Sequence, residues 1–123
     1  MAAPVGPYTP AQRAGPWLVC SGQIGITPGG GQPVLAQGLA AQVRQAMANV
    51  AELLEGQGLG WKDVVKATVF LADIADYAAF NEVYVAALGD HRPARSVVAV
   101  AGLPLGALVE IEVWAYSLAQ SGG

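Results

Sequence analysis

Apolar residues recur along the chain in two periods, one typical of helices and one typical of strands. The spacing over residues 39–54 is that of a single helical stripe, and Gly56 follows it as a stop signal. A second helix is expected to begin at Asp73 or Asp76, since either residue suits an N-cap, and to end at about Leu88. The polar side of the first helix is expected to hold Gln42, Arg44, Gln45, Asn49 and Glu52.

Short alternating runs predict the strands. Two of them, over residues 8–14 and 17–21, flank a turn, and a run rich in β-branched residues predicts a third over 64–71. The last third of the chain favours strands over 95–100 and 107–116, which we expect to pair as one long hairpin. One face of the third strand is expected to carry Val65, Ala67, Val69 and Leu71.

The order of these elements, β-β-α-β-α-β-β, predicts an α+β fold in a single domain over residues 1–123. We expect one mixed sheet with two helices on one of its faces. The chain is 54% hydrophobic and only 12% charged, whereas a typical soluble domain is about 25% charged. Because the second face of the sheet also needs a cover, we expect the chain to associate with copies of itself through apolar surface.

Charge and cysteine content narrow the classes of function. The net charge is −3 with only six Lys and Arg residues, which leaves no basic stripe for nucleic acid. The single cysteine, Cys20, cannot form an internal disulfide and is expected to be a small buried residue. The lone histidine, His91, has no accompanying set of metal ligands. We therefore expect a cytoplasmic protein with no metal, no nucleic-acid partner and no membrane span.

The last two strands carry the side chains with the most chemistry. In a hairpin that turns near Leu103, Arg95 pairs with Glu112 and Val97 pairs with Glu110. Arg95 then shares a face with both glutamates, one about 5 Å away across the ladder and the other about 7–8 Å away on the diagonal. This arrangement allows two interpretations.

The first interpretation is an exposed salt bridge across the strands, contributing at most about 1 kcal/mol. The second is a site for a small anion. The planar guanidinium of Arg95 would bind a carboxylate through two parallel hydrogen bonds. A neighbouring glutamate would position or deprotonate a water molecule. Cover from another subunit favours the second interpretation, because shielded charges need partners.

Five blocks of sequence resemble, in order and nearly end to end, the RidA/YjgF family of reactive-intermediate deaminases. The resemblance implies a chorismate-mutase-like α+β fold and homotrimers whose sheets face inward, with clefts between adjacent subunits. It also implies hydrolysis of 2-aminoacrylate and related imines to 2-oxoacids and ammonia, without a cofactor. The blocks are GPYTPAQRAG (6–15), SGQI (21–24), AAQVRQAMANVAELLE (40–55), VVKATVFLADIADYAAFNEVY (64–84) and PARSVVAVAGLPLGALVEIEVWA (93–115).

The resemblance also implies roles for individual residues. Arg95 would grip the substrate carboxylate and Glu110 would hold or activate the attacking water. Val97 stands where the family often has cysteine, and its contribution is attributed to backbone groups. Gly25 replaces a common proline, which is expected to loosen the loop and alter the substrate range. The lining of the cleft is implied to include Tyr8, Ser21, Gly22, Asn81 and Val97.

Two other functions stay open from the sequence. The family also carries the label of an RNA-cleaving translation inhibitor, but the acidic balance of this chain argues against an RNA surface. A non-catalytic, chaperone-like or small-molecule-binding protein would share the fold and the cleft, and Glu110 would then be dispensable. The presence of Arg95 favours the enzyme.

Overall fold

The computed structural model describes residues 4, 6–27 and 31–118. Its elements follow the predicted β-β-α-β-α-β-β order, and three short 3-10 turns connect them. The α+β class predicted from the sequence is confirmed. The elements are β1 (Ala11–Ala14), β2 (Trp17–Gln23), α1 (Leu39–Glu55), β3 (Val64–Leu71), α2 (Tyr77–Leu88), β4 (Ala94–Ala99) and β5 (Val109–Tyr116).

The strands form one mixed sheet in the order β1-β2-β5-β3-β4. Only β3 and β4 are parallel to each other, while β5 lies antiparallel between β2 and β3. The predicted hairpin of the last two strands is therefore wrong, because β3 separates them. The segment over residues 100–108 is long enough to carry the chain across the end of β3. A hairpin and such a crossover give the same alternation along each strand, so the pattern cannot distinguish them.

Helices α1 and α2 cover one face of the sheet and form the core with it. Alternate residues of β5 and β3, including Val109, Ile111 and Leu71, are fully buried against the helices. Phe80 of α2 is the largest fully buried side chain and packs beside Tyr84. The core thus lies between the helices and one side of the sheet, as the helical stripe over 39–54 predicts.

Two polar residues of α1 are buried, although the sequence places them on its solvent side. Gln42 accepts a 2.8 Å hydrogen bond from the backbone N–H of Leu108. Asn49 donates to the carbonyl oxygens of Ile24 and Ile26, at 3.2 and 3.0 Å. The periodicity missed these roles because the groups that satisfy the two buried amides lie 23 to 66 residues away along the chain, in the loops after β2 and before β5. Both amides fix loops that border the candidate site.

The predicted face of β3 is correct except at its start. The pairing with β5 shifts register between Val64 and Lys66. Because of this irregularity, Val64 is buried whereas Val65 is 45% exposed. From Ala67 onward the alternation follows the prediction, so the side chains of β3 are correctly assigned where they border the site.

The opposite face of the sheet is covered by no helix in the described part of the chain. Aromatic side chains cluster at one end of this face, where β2 begins and β5 ends: the ring of Trp17 lies 5.9 Å from that of Trp114 and 4.9 Å from that of Tyr116. Trp114 is 46% exposed and Val98 is 45% exposed. We call this surface the open face. Among the described residues, neither helix has the length and apolar character needed to cross a bilayer.

Candidate active site

Arg95 lies on β4 and points toward the helices. Its partner in the ladder is Ala67, whose side chain is fully buried under the helix layer, so the two residues share that face. One guanidinium nitrogen, Nη1, donates to Oδ1 of Asn81 at 2.8 Å, and Nη2 donates to the hydroxyl of Tyr77 at 3.0 Å. Both partners come from α2. The guanidinium is therefore held in one direction before any ligand arrives.

Three aromatic rings of α2 surround the same guanidinium. Its central carbon, Cζ, lies 5.0 Å from the ring centre of Tyr84, 5.6 Å from that of Tyr77 and 5.8 Å from that of Phe80. The helical spacing of these residues and of Asn81 presents all four side chains to β4. Each cation–ring contact of this kind contributes about 0.5–1 kcal/mol at a partly exposed site. The aromatic side of α2 thus orients Arg95 as well as filling the core.

A small cavity opens beside Arg95. Its volume is about 230 Å³, and we call it the arginine pocket. Among the described residues that line it, none is acidic. A cavity with fixed cationic donors and an apolar wall suits a small anion, and a carboxylate matches the fork of a guanidinium. The lining residues are Asn81, Tyr84, Val85, Arg92, Pro93 and Arg95.

Glu110 borders a second cavity on the other side of the sheet. Its partner in the ladder is Phe70, and both residues belong to the open face. The cavity has a volume of about 200 Å³, and we call it the glutamate pocket. The fold brings together in its lining four residues that the sequence analysis predicts as site residues. They are Tyr8, Ser21, Gly22 and Glu110. The lining residues are Tyr8, Ser21, Gly22, Ile24, Pro104 and Glu110.

The glutamate pocket is shaped by close packing on Gly22. A Cβ added at position 22 would lie 2.8 Å from Cδ and 2.9 Å from Cγ of Glu110, and closer still to Oε2. The carboxyl group of Glu110 therefore occupies the space in which a side chain at position 22 would lie. Next to it, the hydroxyl of Ser21 donates a 2.6 Å hydrogen bond to the carbonyl oxygen of Thr9. This bond ties the segment that carries Tyr8 to β2.

The environment of Glu110 favours its protonated form. Partial burial raises the pKa of its carboxyl group above the ordinary value, and the negative charge of Glu112 raises it further. Glu112 lies two residues along β5 on the same face, opposite Thr68. A carboxyl group with a raised pKa exchanges protons closer to neutral pH, as a general acid or base requires.

Arg95 and Glu110 lie on opposite faces of the same sheet, so the predicted sharing of one face is wrong. Arg95 is opposite Ala67 and Glu112 is opposite Thr68, two neighbours in β3 whose side chains alternate. The error follows from the mistaken hairpin. One chain therefore presents two separate pockets.

The other predicted residues divide between these two pockets. Asn81 joins Arg95, whereas Tyr8, Ser21 and Gly22 join Glu110. Val97 lies opposite Val69 and packs against the core, so its side chain faces the helix layer. Its strand β4 is an edge strand, one side of which pairs with no other strand in the described residues.

Gly25 allows a close approach between the loop after β2 and α1. A Cβ added there would lie 2.7 Å from both Cα and the carbonyl oxygen of Gln42. Since these are backbone atoms of a helix, a side chain at position 25 requires the loop or α1 to shift. Instead of loosening this loop, as the sequence led us to expect, Gly25 lies buried in contact with α1. The expectation overlooked that a small residue permits tight packing.

The two remaining candidates, Cys20 and His91, make contacts typical of residues that stabilise the fold. Cys20 is buried as predicted, and burial raises the pKa of its thiol to about 11. The ring nitrogen Nε2 of His91 lies 2.8 Å from the carbonyl oxygen of Val64. No three His, Cys, Asp or Glu side chains are grouped to hold a metal ion in the described part of the chain. Two features were missed from the sequence: the rings around Arg95, visible only as a helix stripe, and Arg92.

Two helices over one face of a five-stranded mixed sheet place the chain among two-layer α+β proteins with crevices at the sheet's rim. A sequence model of the family described as endoribonuclease L-PSP matches residues 1–117. The chain belongs to this family, which includes the RidA and YjgF proteins and matches the resemblance drawn from the sequence.

Individual relatives agree with this assignment. The chain is 43% identical to a RutC family protein of Pyrococcus horikoshii, over 92% of this chain and 89% of the relative. It is 42% identical to the 2-iminobutanoate/2-iminopropanoate deaminase of Capra hircus, over 89% of this chain and 80% of the relative. The crystal structure of RidA from the Antarctic bacterium Psychrobacter sp. PAMC 21119 superposes with a TM-score of 0.89 at 42% identity, covering 94% and 92% of the two chains. At the level of the family, these names support a deaminase.

Proposed function

We propose that this protein hydrolyses 2-imino and 2-enamino acids to 2-oxoacids and ammonia. One observation carries the proposal: the guanidinium of Arg95 is fixed by Asn81 and Tyr77 beside an open cavity whose described lining has no acid to neutralise it. Such a group binds the carboxylate of a small substrate through paired hydrogen bonds. The deaminase named in Capra hircus supports the same chemistry.

We further propose that the working site lies between subunits of a homotrimer with the open faces turned inward. Arg95 and Glu110 belong to opposite faces of one sheet, so one chain cannot direct both at the same small molecule. Packing the exposed Trp114 and Val98 against another copy would remove apolar surface from water. The arginine pocket of one subunit would then adjoin the glutamate pocket of the next.

In the proposed mechanism, Arg95 holds the substrate carboxylate and thereby fixes the imine carbon in place. A 2-aminoacrylate first takes a proton on its terminal carbon and becomes the protonated imine. Glu110 accepts a proton from a water molecule as the water oxygen bonds to the imine carbon, which gives a carbinolamine. The carboxyl group then returns this proton to nitrogen. As the carbon–nitrogen bond breaks and ammonia leaves, the carboxylate accepts the remaining hydroxyl proton and passes it to the ammonia. The water oxygen remains as the carbonyl oxygen of the 2-oxoacid.

A coupled assay tests this function. A serine or threonine dehydratase generates 2-aminoacrylate, and its disappearance is followed with and without the protein. Replacing Arg95 by Ala should lower kcat/KM about 100-fold, because two charge-assisted hydrogen bonds are lost. Glu110→Gln should lower kcat about 100-fold or more.

The control is Arg44→Gln, which removes the same charge from an exposed position on α1 and should leave the rate unchanged. Full activity of Arg95→Ala would overturn the proposal. So would RNA cleavage that persists through purification and is lost in Arg95→Ala.

A further inference from the structure

A second arginine lines the arginine pocket. Arg92 follows the end of α2, and its Nη1 donates to the carbonyl oxygens of Gly89 and His91 at 2.6 and 2.8 Å. These bonds hold one terminal nitrogen of the guanidinium against the end of the helix, where carbonyl groups concentrate partial negative charge. The Arg92 side chain is thus anchored at the rim of the cavity that contains Arg95.

The charge of this pocket exceeds what one carboxylate neutralises. Its described lining holds Arg92 and Arg95 and no acidic side chain. Tyr84 also lines this pocket, and its buried hydroxyl has no hydrogen-bond partner among the described residues. Burial raises the pKa of this phenol, while Arg95 and then Arg92 act to lower it, so both cations act on the same hydroxyl. Two anchored cations with no acidic side chain in the described lining suit an anion with more than one acidic group.

We propose that Arg92 binds a second carboxylate on the substrate, so that the site prefers 2-imino dicarboxylates, the imines derived from acidic amino acids. This inference rests on the proposed function and specifies its substrate class. Arg95 binds the carboxylate next to the imine carbon, and Arg92 at the rim binds the carboxylate at the far end of the side chain. Hydrolysis proceeds as for other imines, with water supplying the carbonyl oxygen and nitrogen leaving as ammonia.

The competing role for Arg92 is an ion pair with an acidic residue of a neighbouring subunit. In that case Arg92 would stabilise the assembly and have no preference among substrates. Removing its charge would then weaken the oligomer and lower activity toward every imine alike. The two roles therefore differ in both binding and assembly.

Binding of stable acids tests the inference without catalysis. Succinate and butyrate have the same four-carbon skeleton and differ in one carboxylate, and isothermal titration gives the dissociation constant of each. We expect the wild-type protein to bind succinate about tenfold more tightly than butyrate, since one more charge-assisted contact forms. Arg92→Gln should remove this difference by weakening succinate binding about tenfold, with a much smaller effect on butyrate binding. Arg92→Lys should restore part of it, and the control Arg44→Gln should retain all of it.

Kinetics provide a second, separate measurement. In the wild-type protein, kcat/KM for 2-iminosuccinate should exceed that for 2-aminoacrylate. Arg92→Gln should lower the first about tenfold and change the second less than about twofold. Native mass spectrometry of the same variant should show an unchanged oligomer.

Three results would overturn the inference: no preference for the dicarboxylates in the wild-type protein, equal losses on both substrates in Arg92→Gln, or dissociation of its oligomer. Hydrolysis of 2-aminoacrylate with no dicarboxylate preference would reject this inference alone. If neither imine is hydrolysed, the proposed function fails too. A succinate preference that is lost in Arg92→Gln would then show that the pocket binds dicarboxylates without hydrolysing imines.

Discussion

The arginine pocket and the glutamate pocket hold their key side chains in opposite ways. Arg95 is fixed by direct partners, two hydrogen bonds and three rings, all supplied by α2. The carboxyl group of Glu110 instead fits against Gly22, which has no side chain to exclude it. The pocket around it is built largely from loops and strand ends. The position of Arg95 thus depends on direct contacts, whereas the position of Glu110 depends on the absence of a side chain at position 22.

This difference predicts how each pocket responds to mutation. Where several partners share one group, the loss of any single partner leaves the others in place, so the damage is graded. A group that fits into a space has no such reserve, because one added methyl group takes its position. The glutamate pocket should therefore be sensitive to additions and the arginine pocket only moderately sensitive to deletions.

The largest effect is expected from Gly22→Ala. The new Cβ would overlap Cδ and Cγ of Glu110 and force the carboxyl group out of its pocket. The backbone at Gly22 lies outside the left-handed region, so alanine is tolerated there conformationally. We expect kcat for 2-aminoacrylate to fall about 100-fold, as in Glu110→Gln, while the melting temperature changes little.

The matched control for this variant is Gly60→Ala. An added Cβ at Gly60 meets no atom within 4 Å, and the backbone there is extended. This variant should retain wild-type kcat. If Gly22→Ala also retained it, Glu110 would not act from the position described, and the comparison between the pockets would fail.

The contrast also explains what the sequence predicts well. Helix α1 was expected over 39–54 and spans Leu39–Glu55, and β3 was expected over 64–71 and spans Val64–Leu71. Both follow from local signals, the apolar helical stripe for α1 and the β-branched run for β3. The choice of Arg95 rested on the predicted hairpin and on the family resemblance, and the choice of Glu110 over Glu112 rested on the resemblance alone.

The partners of those residues were beyond local reasoning. Which strand lies beside β5 depends on contacts between distant segments, so the placement of Arg95 opposite Ala67 was missed. The role of Gly22 as a space is visible only once Glu110 has been placed against it. Alternation predicts the side of a strand on which a residue lies and leaves its neighbour unspecified.

An intermediate effect is expected from Asn81→Ala in the arginine pocket. It removes the 2.8 Å hydrogen bond to Nη1 of Arg95, while Tyr77 and the rings remain. We expect KM for 2-aminoacrylate to rise about tenfold with little change in kcat, because the guanidinium loses part of its orientation. Tyr77→Phe, which keeps the ring and removes one bond, should raise KM less. A loss confined to kcat in either variant would contradict the positioning role.

The smallest effect is expected from Glu112→Gln, and it concerns pH. The charge of Glu112 helps to raise the pKa of Glu110, so removing that charge should lower it. Since Glu110 must be ionised to accept a proton from water, activity falls as pH drops through this pKa. The acidic limb of kcat/KM should therefore move to lower pH in Glu112→Gln, and ¹³C NMR of the Glu110 carboxyl group should show the same direction.

Glu55→Gln, an exposed change on α1, should leave the limb in place. A limb that stays fixed in Glu112→Gln, or moves to higher pH, would show that another group controls the acidic side of the profile. The pH dependence would then no longer support Glu110 as the group that accepts a proton from water.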